Sequence, residues 1–182
     1  MLRRYIPLVA VLALFVVIHE GTHAVVALTF DEFEALRVHP YGFEVIFRTP
    51  VDARAGVEWA YISGLSNLIT LAIGYVLFAL RRPLSTIGSK FARAMAYWVT
   101  VLFMLADALN LSLGPFIYGG DVNGIVRGLG ISRPTVQIAF FLVLMVNREL
   151  LIHNVLPLYG IKTRHIMFRP LLKAQTPRQT RL

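Results

Sequence analysis

The sequence contains no cysteine, which rules out both a disulfide scaffold and a thiolate metal site. Acidic residues are also few: 10 Asp and Glu stand against 18 Lys and Arg in 182 residues, for a formal net charge of +8. Such a balance would suit nucleic acid if the cations lined one soluble surface. They gather instead beside long apolar runs, so no nucleic-acid partner is expected. There is no internal repeat or low-complexity tract, and the connecting segments are too short to hide a second folded domain. One domain over residues 1–168 is expected, followed by a basic, poorly ordered tail at 169–182. What the sequence does have is apolar bulk, with 57% hydrophobic residues and a mean hydropathy of +0.65.

A bilayer-spanning helix needs about 20 mostly apolar residues. Four segments qualify, at 5–30, 56–80, 92–113 and 134–156. Tyr5, Trp59, Tyr61, Tyr97, Trp98, Tyr118 and Tyr159 fall near their ends, where amphipathic rings favour the headgroup level. The expected fold is therefore an all-α polytopic membrane protein of about four transmembrane helices, embedded in the lipid bilayer. The first apolar run resembles a signal peptide, but cleavage would fall within or beyond 19–23, so a retained span is expected. Arg3, Arg4, Arg81, Arg82, Lys90, Arg93 and six cations after the fourth span flank one side of the spans, and five arginines flank the other. This bias predicts that both termini are cytoplasmic.

Inside the first span lies His19-Glu20-Gly21-Thr22-His23. Residues four apart share a helix face, so both imidazoles can meet one ion with Glu20 beside it. Two histidines and a carboxylate from elsewhere suit one Zn2+ with a fourth position left for water. Glu20 could then act as general base toward that metal-activated water and pass the proton to a departing amide nitrogen. Polar groups within a span are costly to leave unpaired, by about 2.5 kcal/mol or more for a charge, so a function is expected of them.

Two aspartates compete as the third ligand. At 1.5 Å per residue His19 and His23 lie about 21 and 27 Å along the first helix, and Asp107, Asn110 and Asp121 about 15, 20 and 36 Å along the third. Neither aspartate matches directly, although Gly114-Pro115 and Gly119-Gly120 can break the helix and turn the chain back. Asn110, level with His19, is a candidate for binding substrate or a developing oxyanion. In the fourth span Arg148 and Glu149 should pair or snorkel, and His153, about 28 Å from Pro134, lies too far from His19 to join it. The segment 31–55 reads as a small hairpin near the membrane surface, with 35–38 and 43–47 extended around His39-Pro40-Tyr41-Gly42.

These residues resemble the site-2 protease group of intramembrane metallopeptidases. The likeness rests on His19 to His23, on Gly64-Leu65-Ser66-Asn67-Leu68 with Leu65 where that group carries proline, and on Asn110, Pro115 and Gly120-Asp121. It spans 17–126. The resemblance implies Asp121 as third ligand with Asp107 as the alternative, Asn67 and Asn110 near the substrate, and a transmembrane protein or peptide as substrate. It also implies a membrane-associated β structure that receives the unwound substrate, and a site facing the cytoplasm, whereas the charge bias places the zinc toward the opposite face. Two other readings stay open: a non-catalytic relative that binds or regulates membrane proteins, and a metal transporter.

Overall fold

The structure is a computed structural model that describes residues 5–39, 42–163, 165 and 168–171. The basic tail beyond 171 and the Pro40-Tyr41 turn fall outside the described residues. Most of the chain is helical, and four helices are long and apolar enough to cross a membrane. These features are compatible with a multi-pass membrane protein.

Helix α1, Ile6–Thr29, starts with Pro7 in its first turn, where a missing N–H costs nothing. Its buried residues are Pro7, Val11, His19, His23 and Ala27, a stripe with a four-residue step that Phe15 completes. The rest of the helix exposes apolar side chains such as Val9, Leu12, Val17 and Val25, as a lipid-facing surface would. The motif histidines thus occupy the inward face of an otherwise outward-looking helix.

The chain then reverses into strands β1, Phe33–His39, and β2, Gly42–Phe47, paired antiparallel from Phe33 opposite Phe47 to His39 opposite Gly42, with a bulge between Phe33 and Ala35. The strands are longer than 35–38 and 43–47, because pairing continues to the base of the hairpin. The hairpin folds back along the helix, so that a side chain at Gly42 would touch Val16 Cγ1 at 3.5 Å. His39, expected as a turn residue, ends β1 and pairs across the hairpin with Glu44 at 2.9 Å.

Helix α2, Glu58–Ala79, is central. Trp59, Ile62, Ser63, Ser66, Asn67, Thr70, Leu71 and Gly74 form one buried face at three- and four-residue spacing. Trp59 is only 1% exposed, so it packs with Ala27 and Ile62 rather than anchoring at a headgroup layer. A short helix α3, Arg81–Ser85, leads to α4, Lys90–Ser112, whose start is capped by the Ser89 hydroxyl. At the α2–α4 crossing a Cβ on Gly74 would come within 2.8 Å of the Phe103 backbone, so the two helices touch main chain to side chain-free main chain.

A single 3-10 turn, Gly114–Phe116, ends the third span and precedes α5, Gly120–Leu129, a helix that was not expected from the sequence. Gly124 and Gly128 face α2 so closely that a Cβ would collide with Ser63 Oγ at 1.9 Å and Ala60 N at 2.3 Å, respectively. Gly130, at φ 63°, closes α5 in the left-handed conformation glycine favours. Helix α6, Arg133–Leu150, then runs back and continues through a wide π turn, Leu151–Val155, and a 3-10 turn, Leu156–Tyr159. Asn147 ties it to the bundle by donating to the Met104 carbonyl at 2.7 Å and accepting from the Tyr75 hydroxyl at 2.7 Å.

Candidate metal centre

His19 and His23 project from α1 between α2 and α4, each turned toward a different neighbour. His23 Nδ1 lies 2.6 Å from the Ile62 carbonyl of α2. Donation there leaves the lone pair on Nε2. His19 Nδ1 lies 3.1 Å from Asp107 Oδ1 of α4, an ion-pair contact rather than a well-aligned hydrogen bond. The two Nε2 atoms converge at 3.2 Å.

Asp121 closes this pair. Its Oδ2 stands 3.3 Å from His19 Nε2 and its Oδ1 3.2 Å from His23 Nε2. Four ligands at the roughly 2.0–2.1 Å bond lengths usual for zinc lie about 3.3 Å apart along the edges of a tetrahedron. The two Asp121 contacts use different oxygens; taking one ligand atom from each residue, the three lie within 4.8 Å of one another, so small side-chain adjustments would gather them on one small divalent ion, and they are a set among the described residues that could hold one. The chemistry of the set fits as well, since two imidazole lone pairs and a carboxylate turned on one point repel unless a proton or cation lies between them. Burial alone would raise the Asp121 carboxyl, but His23 and His19 hold it well below the usual carboxylate range.

Asp121 reaches the site because α5 docks on α2. Gly124 and Gly128 share a face with it, and their lack of side chains lets that face approach Ser63 and Ala60. The straight-helix depth of about 36 Å failed because the chain turns at Gly114–Phe116 and α5 reverses its course.

Asp107 occupies a different place. It is 1% exposed, accepts a hydrogen bond from the Thr70 hydroxyl and faces the far side of the His19 ring. Carboxylates in that position fix the imidazole's tautomer and orientation. Asn67 is fully buried and spends its amide on Asp121 Oδ2 at 3.0 Å and the Ser63 carbonyl at 2.9 Å. It positions the aspartate rather than facing open space. Asn110 also donates to Asp121 Oδ2, at 3.3 Å, and its Oδ1 accepts from Tyr118.

A cleft of about 480 Å³ opens over the cluster. Glu20, His19, His23 and Asp121 form its floor, β2 from Glu44 to Phe47 one wall, and Arg54, Asn110 and Tyr118 parts of its rim. Residues 44–47 of β2 thus line the same cleft as Glu20 and the candidate ligands. A second cleft of about 240 Å³ lies on the α1–α4 seam beside Phe15, Val16 and Ala106, and shares His19, Glu20, Asn110 and Tyr118 with the first.

Several contributors went unread in the sequence. Ser66 Oγ lies 2.9 Å from His23 Nε2, and Thr70 reaches Asp107; Ser63, Ser66 and Thr70 lie on one face of α2, so polar spacing could have flagged them. Tyr118 carried a signal only as a span-end aromatic. Burial, with Asp121, Asp107 and Glu20 nearby, pushes its phenol above the usual range, so it stays protonated and donates to Asn110. In the fourth span Arg148 pairs with Glu149, and His153 lies 3.3 Å from Glu149. No protein-family model, curated protein or solved structure matches the chain.

Proposed function

We propose that the chain is an intramembrane zinc metalloprotease, similar in its site to the site-2 protease group, that hydrolyses a peptide bond in or near a transmembrane segment of another membrane protein. The observation that carries this reading is the convergence of His19, His23 and Asp121 within ligand distance of one point, with Glu20 lining the same cleft. Zinc held by these residues would supply a Lewis acid that polarises a carbonyl and lowers the pKa of a water toward about 7. Glu20, which lines the cleft beside these ligands, takes the proton from the attacking water, holds it on a carboxylate oxygen and delivers it to the amide nitrogen as the bond breaks. β2 lines the cleft, and addition of an extended chain beside a strand would suit a helical substrate that must unwind before its amide is accessible. Asp107 and Asn67 hold His19 and Asp121 in place throughout.

The test is metal analysis of the purified full-length protein together with cleavage of model transmembrane substrates. One zinc per chain is expected. Glu20→Gln should keep the metal but lose at least about 100-fold in cleavage rate, and His23→Ala should lose both. Full cleavage by Glu20→Gln would sink the mechanism. Bound zinc without cleavage by the wild type would favour a non-catalytic binding protein, and zinc flux into proteoliposomes without cleavage a transporter.

A further inference from the structure

Arg54 lines the cleft and is held there by an unusual set of contacts. Its guanidinium carbon lies 4.3 Å from the Trp59 ring centroid and 4.8 Å from that of Phe47, and its Nε donates to the Thr49 carbonyl at 3.3 Å. Among the described residues no carboxylate comes within ion-pair distance of it, and its terminal amino groups make no hydrogen bond. Glu32 and Asp121 act on its charge from beyond ion-pair distance, and the polar groups nearby have other partners. Glu44 is taken by His39 at 2.9 Å, Glu32 accepts from the Thr49 N–H and hydroxyl at 3.1 and 2.9 Å, and Arg127 donates to the Val51 carbonyl.

We propose that Arg54 makes this cleft a binding site for a carboxylate on the bound chain, either an acidic side chain near the scissile bond or a free C-terminus. The inference rests on the proteolytic reading for what enters the cleft. A guanidinium presents paired N–H groups in a plane that matches a carboxylate, and aromatic rings that fix the plane reduce the ordering still to be done on binding. Phe47 sets the location, because its ring also lies 6.5 Å from that of His23. At a rise of about 3.3 Å per residue, the carboxylate sits within about three residues of the scissile bond.

The probe is a set of fluorescein-labelled apolar nonapeptides: an amide with one central Asp, its Asn counterpart, and the Asn peptide with a free C-terminal carboxylate. Binding is read by fluorescence anisotropy on zinc-loaded full-length Glu20→Gln protein in detergent, so that nothing is cleaved. One of the two acidic peptides should bind about tenfold more tightly than the neutral amide, and which one does so identifies the source of the carboxylate. Adding Arg54→Gln should bring the ratio close to one, and Arg54→Lys should restore part of it. Equal binding of all three peptides overturns the proposal without any change at Arg54, as does the absence of binding or a preference that survives Arg54→Gln. If the preference is found but wild-type protein cleaves nothing, the carboxylate site stands and the proteolytic reading fails.

Discussion

Asp107 is buried among α1, α2 and α4 beside the smaller cleft, with one oxygen on the Thr70 hydroxyl and the other against His19 Nδ1, whereas Asp121 lines the larger cleft against both Nε2 atoms. The two aspartates should therefore fail differently. Asp121→Asn removes a ligand and should abolish stoichiometric zinc binding. Asp107→Asn only loosens the His19 ring, and should weaken zinc by about 10- to 100-fold; competition with a graded series of chelators measures both. Loss of binding from Asp107→Asn with Asp121→Asn intact would exchange their roles. Sequence was informative about His19, Glu20 and His23 because their relation is local, fixed by one helical turn. It was uninformative about the aspartates because their distance from the histidines depends on where the third span stops. Asp121 was singled out by resemblance, and straight-helix arithmetic argued against it.

The four apolar helices were legible at the scale of elements, since length and hydropathy decide them, and each boundary fell within a few residues of expectation. Helix α5 was not. Its sequence is rich in glycine, each costing about 1 kcal/mol of helix propensity relative to alanine, so the local signal pointed to a break. The same glycines are what let it lie against α2, and tertiary packing outweighs the propensity. Gly128→Leu should push α5 off Ala60, with an overpacking cost of about 1–3 kcal/mol. A lower melting temperature in detergent and a loss of zinc together would show that the docking of α5 carries the third ligand. A destabilised protein that keeps its zinc would show that it does not.

Taken whole, the molecule has its candidate ligand cluster nearer the hairpin than the N-terminus of α1, whereas Arg81, Arg82, Lys90 and Arg93 lie at and between the ends of α2 and α4 away from the hairpin. The charge bias predicts that reporters fused to either terminus are active in the cytoplasm and that the cleft opens to the other face. Reporters active outside would reverse the orientation and agree with the resemblance instead.

The inward stripe of α1 has a mechanical consequence. A step of four residues overshoots a helical turn, so the stripe winds around the helix as it climbs. Phe15 and His19 meet Phe103 and Asp107 of α4, while His23 and Ala27 meet α2 at Ile62 and Trp59. The two histidines are consequently braced against different beams, and the gap between those beams is gauged by Gly74 against the Phe103 backbone. Even one methyl there, as in Gly74→Ala, should spread the beams and slacken zinc binding, although position 74 lies about 10 Å along the helix from Asn67. Chelator competition on this variant would show whether a shim between two helices can detune a metal site it never touches.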